Sequence, residues 1–122
     1  ALNVIPARIA KTLSFKKDDS CILIVTSGDV KIDNPKFKSV FEIKAKMPSA
    51  DEVFSLTGHA AGGVCPFAVS EGIPVYLDIS LKRFDTVFPA CGSSNSAIEL
   101  TCDELFRYSE AKKWIDVSKN KE

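Results

Sequence analysis

Residues 57–67 concentrate the residue types that shape a backbone surface for binding. The segment reads Thr-Gly-His-Ala-Ala-Gly-Gly-Val-Cys-Pro-Phe and contains three glycines, a proline and the only histidine of the chain. Glycine lets backbone approach a ligand closely, and proline fixes the direction in which the chain leaves the loop. A concavity of amide N–H groups here would bind a carboxyl group, an ester carbonyl or a phosphate. The alternative is a tight connection after a helix, since the spacing of Gly58, Gly62 and Gly63 matches neither a dinucleotide fingerprint nor a P-loop.

Two reactive side chains lie in the same segment, and each has a structural alternative. His59 would serve as a general base only if another group oriented its ring, so a structural hydrogen bond is the favoured interpretation. Cys65 would be a nucleophile if His59 activated its thiolate. A small thiol packed in the interior is the commoner role of such a residue.

Lys11 is the one charged residue in an otherwise apolar stretch, residues 9–13. Its ammonium is a compact charge suited to a phosphate or to a developing oxyanion. The alternative is a lysine whose ammonium reaches solvent from a half-buried helix end. A second polar segment, Ser-Ser-Asn at residues 93–95, is predicted to be a turn.

Composition and charge limit the classes of partner and cofactor. The 122 residues suit one domain, with 45% hydrophobic and 26% charged residues. Sixteen basic and sixteen acidic residues cancel, so a nucleic-acid partner would require a local basic patch. No apolar run approaches the roughly 20 residues of a membrane span, and no signal-peptide pattern is present. We therefore expect no membrane partner, a cytoplasmic location and reduced thiols.

The four cysteines form no C-x-x-C pair and, with one histidine, predict no metal site. They are Cys21, Cys65, Cys91 and Cys102.

The hydrophobic pattern predicts an α+β fold. Residues 21–27 form a nearly continuous apolar run, which is typical of a strand buried on both faces. Asn34 and Pro35 predict a helix start. Ile9 and Leu13, four residues apart, predict a helical turn that gives way to an alternating strand at residues 12–15, with Lys11 near the junction. Capping boxes at residues 49–52 and 101–104 open further helices, strands are predicted at 74–79, 86–90, 97–100 and 114–117, and a frayed polar tail follows from 118. Six or seven short strands without regular long helices between them favour a mixed sheet curled into a partial barrel, with short helices packed around it.

The order of these pieces along the chain is more informative than any one of them. Over residues 6–117 the chain resembles the YbaK family, also called the prolyl-tRNA synthetase-associated or INS-like editing domain. The resemblance is carried by Lys11-Thr12-Leu13, then Thr57-Gly58-x-x-x-Gly62-Gly63-Val64-x-Pro66-Phe67, then Val75-x-Leu77-Asp78, then Gly92, then Ile98-Glu99-Leu100.

This resemblance implies an enzyme, a trans-acting aminoacyl-tRNA deacylase. Its substrate would be the ester between a wrong, small amino acid and the terminal ribose of tRNA(Pro), with prolyl-tRNA synthetase as a second partner and with no cofactor or metal. Amides of the glycine loop would stabilise the oxyanion, and Lys11 would anchor the terminal phosphate or ribose or polarise the ester. The catalytic positions implied are Lys11, Gly62 and Gly63, and the substrate-binding positions are Gly58, His59, Val64, Pro66, Asp78, Gly92 and Ser93.

Two departures from the family pattern refine these expectations. Cysteine-clearing relatives tend to carry tyrosine where this chain has His59, which favours alanine or another small aliphatic residue as the amino acid removed. The family usually has a further N-terminal strand and helix, so residues 1–122 are expected to be one YbaK-like domain without that segment. Three alternatives remain open: a non-catalytic module that senses charged tRNA or an amino acid, a Cys-tRNA(Pro) deacylase, and a cysteine hydrolase using Cys65 and His59. Contact with tRNA is expected at a local basic patch around Lys11, Lys16, Lys17, Lys82 and Arg83.

Overall fold

The computed structural model of the chain describes residues 9–17, 20–46, 49, 51, 73–89 and 99–120. Eight strands, two α-helices and one 3₁₀ helix lie within these residues. The strands are β1 (Ile9–Lys17), β2 (Ser20–Ser27), β3 (Val30–Ile32), β4 (Val75–Asp78), β5 (Thr86–Pro89), β6 (Leu100–Thr101), β7 (Trp114–Ile115) and β8 (Ser118–Asn120). The helices are α1 (Asn34–Phe41), the 3₁₀ helix (Ile79–Arg83) and α2 (Cys102–Tyr108).

Six of these strands form one mixed sheet in the order β6-β5-β1-β2-β4-β7. The β1–β2 and β5–β6 pairs are antiparallel, whereas β1–β5, β2–β4 and β4–β7 are parallel. Strands β3 and β8 form a separate antiparallel pair. The larger sheet curls into a half-barrel with the helices packed against it, which confirms the predicted fold class.

Strand β2 is buried on both faces, as its apolar run predicted. Successive side chains of a strand point to opposite faces of the sheet. Accordingly, Leu23 and Val25 belong to one core cluster, and Ile22 and Ile24 belong to the other. The strand therefore divides the core into two layers, and each layer is closed by a helix.

Each helix closes its layer with a fully buried side chain. Leu105 of α2 packs into the cluster that contains Leu23, while Phe37 of α1 packs into the cluster that contains Ile22. Phe37 also contacts the Phe15 and Phe41 rings, at centroid distances of 4.9 Å and 4.8 Å. The second layer thus has an aromatic centre directly beneath β1.

Both helix starts follow the capping chemistry that the sequence predicted, one of them shifted by a residue. The α1 cap is Asp33 rather than Asn34, because the Asp33 carboxylate accepts the Lys36 amide at 3.1 Å. In α2 the capping box is complete: Thr101 Oγ1 accepts the Glu104 amide at 3.1 Å, and Glu104 Oε1 accepts the Thr101 amide at 2.9 Å.

Two predictions of local structure were wrong. The strand predicted at residues 12–15 is confirmed, but it already begins at Ile9, where a helical turn was predicted. The four-residue spacing of Ile9 and Leu13 satisfies a period of two as well as a period near 3.6, and the β2 ladder decides between them. Residues 118–120 form β8 instead of a frayed tail, paired with β3 in the register Val30 to Asn120. The predicted strand at 97–100 begins only at Leu100 within the part of the chain that the structure describes.

Candidate functional site

Lys11 lies near the start of β1, with Thr26 of β2 as its register partner. Its Nζ donates a hydrogen bond to the carbonyl oxygen of Val30 at 2.7 Å. Lys11 is half-buried. It shares its face of the sheet with Leu13 and Phe15, which pack into the core layer that contains Phe37. The aliphatic part of the side chain therefore lies beside the core, while the Val30 carbonyl accepts a hydrogen bond from the ammonium and orients it.

The turn between β2 and β3 is fixed from outside by Arg83 of the 3₁₀ helix. The Arg83 guanidinium donates to both carboxylate oxygens of Asp29, at 2.5 Å and 3.1 Å, and to Ser27 Oγ at 2.7 Å. Ser27 Oγ in turn donates to Asp29 Oδ1 at 2.7 Å. Hydrogen bonding from Arg83, more than any other contact, lowers the pKa of Asp29 to about 2. Because Val30 follows this turn directly, the same contacts position the carbonyl that binds Lys11.

Asp78 lies at the end of β4 and is fully buried. Its Oδ1 accepts the Val117 amide at 2.9 Å, and its Oδ2 accepts the Ser80 amide at 2.9 Å and the Ser118 hydroxyl at 2.5 Å. These contacts join β4, the 3₁₀ helix and the start of β8. A substrate-binding role for Asp78 stays a prediction, while the contacts observed place it as a positioning residue.

A pocket of about 440 Å³ opens beside this junction. We call it the basic pocket because Lys36, Arg83 and Lys119, from three different elements, line it. Lys36 Nζ is 3.1 Å from Asp116 Oδ1 and also donates to the Ser118 carbonyl at 3.0 Å. The remaining lining residues are Val30, Ile79, Ser80, Asp116 and Ser118. Val30 therefore belongs both to the pocket lining and to the Lys11 contact.

Among the predicted site residues, Lys11 and Asp78 lie in the described part of the chain, near the ends of neighbouring strands β1, β2 and β4. The others lie outside the described residues, and their roles stay predictions. They are Gly58, His59, Gly62, Gly63, Val64, Pro66, Gly92 and Ser93. Cys65, the nucleophile of the cysteine-hydrolase alternative, lies outside them too.

The expected basic patch is divided between separate places. Lys16 and Lys17 pair with the beginning of β2, whereas Lys11 pairs with its end. At about 3.3 Å per residue, they lie roughly 17–20 Å along the strand from Lys11. Lys82 Nζ lies 4.5 Å from the centroid of the Trp114 ring. Arg83 is the member of the expected patch that shares an end of the sheet with Lys11.

Sequence reasoning missed Lys36 and Lys119 as members of a site. They are 83 positions apart in the chain and meet only because β8 pairs with β3. The one available signal was the amphipathic α1 with a lysine in its first turn, and it does not point to a partner so distant in sequence.

The described residues contain no group of three or more His, Cys, Asp or Glu side chains that could bind a metal ion. Cys21 and Cys102 are free thiols, and burial raises the pKa of both. Among the helices within the described ranges, none is long and apolar enough to span a membrane.

The fold and the sequence together define an aminoacyl-tRNA editing domain. The model of that family matches residues 1–108, so the chain belongs to the family. YwhH of Bacillus subtilis (strain 168), described as an uncharacterized protein, is 59% identical over 115 residues, which cover 93% of this chain and 73% of YwhH. A proline–tRNA ligase of Bacillus cytotoxicus is 30% identical over 94 residues, which cover 76% of this chain and 16% of the ligase.

A solved structure supports the same assignment. The crystal structure of a protein proposed to be a trans-editing enzyme for prolyl-tRNA synthetase matches with a TM-score of 0.84 at 28% identity, covering 95% of this chain and 73% of that one. The resemblance to the prolyl-tRNA synthetase-associated editing domains is thereby confirmed.

Proposed function

We propose that this domain hydrolyses the ester bond of mischarged tRNA, with tRNA(Pro) carrying alanine or another small non-cognate amino acid as its substrate. The observation that carries the proposal is the 2.7 Å contact between Lys11 Nζ and the Val30 carbonyl. It orients a cation at the end of the sheet, beside a pocket lined by further cations. Membership of the editing family supports hydrolysis, and the similarity to a proline–tRNA ligase supports tRNA(Pro).

The reaction requires a located water and a stabilised oxyanion. Water attacks the ester carbonyl carbon, and the bond from that carbon to the ribose oxygen then breaks. The hydroxyl of the water stays with the amino acid, and its proton goes to the ribose oxygen, which leaves as an alcohol. Lys11 would stabilise the negative charge of the adjacent phosphate or of the oxyanion. Gly62 and Gly63 are the proposed sources of amide donors to the oxyanion.

Chain connectivity favours placing Gly92 and Ser93 in the same site. Strand β5 ends at Pro89, whose register partner is Ala10, the neighbour of Lys11. Gly92 follows Pro89 by only three positions in the sequence. A role for Gly92 and Ser93 at the substrate therefore agrees with the position of Pro89 next to Ala10 in the sheet.

The amino acid removed is assigned as alanine or a similarly small residue because His59 stands where cysteine-clearing relatives tend to have tyrosine. Cys-tRNA(Pro) is the competing substrate. A cytoplasmic location and cooperation with prolyl-tRNA synthetase belong to the same proposal.

The test is release of the amino acid from Ala-tRNA(Pro), Cys-tRNA(Pro) and Pro-tRNA(Pro), by the wild type and by the Lys11→Ala, His59→Ala and Cys65→Ala variants. We expect hydrolysis of Ala-tRNA(Pro), loss of that activity with Lys11→Ala, and retention with Cys65→Ala. Faster hydrolysis of Cys-tRNA(Pro) would reverse the assignment of the amino acid. No release from any of the three would reject the enzymatic function, and loss confined to Cys65→Ala would indicate a cysteine hydrolase.

A further inference from the structure

We propose that the basic pocket binds the sugar–phosphate backbone of the RNA next to the nucleotide that carries the ester, an inference that rests on the proposed function. The pocket and Lys11 share Val30, which lines the pocket and accepts the hydrogen bond from Lys11. An RNA strand whose terminal ribose reaches Lys11 must continue away from it, and this pocket of about 440 Å³ lies directly alongside.

The cations of the pocket come from three elements and are not all neutralised. Lys36 pairs with Asp116, and Arg83 pairs with Asp29. The exposed Lys119 ammonium has no hydrogen-bond or ion-pair partner among the residues that the structure describes. Three cations against two carboxylates leave one net positive charge at the pocket. This local charge suits contact with a phosphate, although the net charge of the whole chain is zero.

Both ion pairs are open to a competing anion. Their four side chains are each at least 38% exposed. Ion pairs this exposed contribute only about 0–1 kcal/mol, because water and salt screen them. A phosphate can therefore share Lys36 and Arg83 at little cost in stability.

A like-charge pair next to the pocket also points to an anion. Lys31 of β3 and Lys119 of β8 are register partners in the small sheet, and both are exposed. Like charges directly opposite each other on a sheet are destabilising. A phosphate bound at Lys119 would relieve this repulsion.

The uncharged lining suits a ribose. Ser80 and Ser118 are buried, and each is already hydrogen-bonded, Ser80 Oγ to the Ser27 amide and Ser118 Oγ to Asp78. The floor is therefore rigid, and Ile79 supplies an exposed apolar wall. Contacts from cations to phosphate and sugar position a nucleic acid without reading its sequence.

The test measures hydrolysis of Ala-tRNA(Pro) and binding of an unacylated RNA hairpin with the acceptor-stem sequence, both over a range of salt concentrations. The variants are Lys36→Gln, Lys119→Gln and the double variant, with Lys38→Gln as the control. Lys38 is an exposed lysine of the same helix as Lys36, and residues two positions apart in a helix do not share a face.

We expect each pocket variant to raise KM and hairpin Kd by about 3- to 10-fold with kcat unchanged, and to reduce the slope of log Kd against log salt by roughly 0.7–0.9 for each cation removed. Lys38→Gln should match the wild type. The proposal would be overturned if the double variant had the KM, the hairpin Kd and the salt slope of the wild type.

Two further results separate this inference from the proposed function. If the wild type hydrolyses no ester, the proposed function fails, and hairpin binding alone still decides whether the pocket binds RNA. Binding of inorganic pyrophosphate with no measurable binding of the hairpin would contradict an RNA site and leave only a small-anion site.

Discussion

The Lys11 ammonium is bound by the carbonyl of Val30, nineteen residues away. The contact crosses from the main sheet to the small one, so the position of this cation depends on the turn that leads into β3. Arg83 of the 3₁₀ helix fixes that turn by binding Asp29 within it. Lys11, a residue expected to act on substrate, is thus positioned by Val30 and Asp29, which sequence reasoning had no cause to connect with it, and by Arg83, which was expected only as a further tRNA contact.

Removal of the Lys11 ammonium should abolish most of the ester-hydrolysing activity without unfolding the domain. We expect Lys11→Ala to lower the rate of ester hydrolysis by about 100-fold or more, the scale of losing one electrostatic stabiliser of an oxyanion. Lys113→Ala, which removes an exposed lysine after α2, should retain wild-type activity. Single-turnover release of labelled alanine measures both. A Lys11→Ala enzyme within threefold of the wild type would contradict a catalytic role.

Replacing Asp78 should destabilise the whole domain. Asp78→Ala leaves the Val117 and Ser80 amides and the Ser118 hydroxyl without their acceptor. Each buried donor left unsatisfied costs about 1–3 kcal/mol, so we expect a loss of at least about 3 kcal/mol in the free energy of unfolding. Urea denaturation tests this against Asp85→Asn, an exposed aspartate in a bend. Equal midpoints for the two variants would disprove the positioning role.

The Asp29–Arg83 pair should contribute to stability only above strongly acidic pH. In the folded protein the pKa of Asp29 is about 2, below its value of about 3.9 in an unfolded chain. The contribution is therefore complete above about pH 5 and is lost as the pH falls through about 2. Since Asp29 is partly exposed, solvent screening limits the contribution to about 1 kcal/mol or less. The urea midpoint should decrease between about pH 5 and about pH 2.5, and it should decrease more for the wild type than for Asp29→Asn. Equal decreases in the two proteins would exclude the pair as a source of this pH dependence.

Within the part of the chain that the structure describes, the buried Thr12 hydroxyl has no hydrogen-bond partner, so its removal should not destabilise the fold. We expect Thr12→Val to be neutral or to stabilise by about 1 kcal/mol, because an unsatisfied polar group is replaced by a methyl of similar size. Thr101→Val is the matched control, since Thr101 caps α2, and its loss should cost about 0.5–2 kcal/mol. Thermal unfolding of both variants checks the opposite signs. Destabilisation by Thr12→Val equal to that of the control would indicate a partner for the hydroxyl.

Features encoded by neighbouring residues were predictable. The apolar run of β2 and the capping box of α2 each lie within a few positions, and each determines its own element. The Ile9–Leu13 spacing was ambiguous because two periods fit it, and only the ladder with β2 resolved it. The family could be recognised because the motif order survives in the sequence, whatever the packing around it.

Features that depend on distant pairing were not predictable. Residues 118–120 have no apolar pattern of their own, and they form a strand because β3 offers backbone partners and Asp78 binds Ser118. The basic pocket depends on that pairing, since it brings Lys119 to Lys36. A scan for charge clusters along the sequence cannot find two lysines that meet only in the folded chain.

The pairing of β3 with β8 also sets an order of events during synthesis. Residue 118 is made 86 positions after residue 32, with which it pairs. At roughly 5–20 residues per second, β3 waits about 4–17 s for its partner while the chain is being translated. During that interval its unpaired edge is a template for other strands, so the nascent chain is open to misassembly at β3 until β8 emerges.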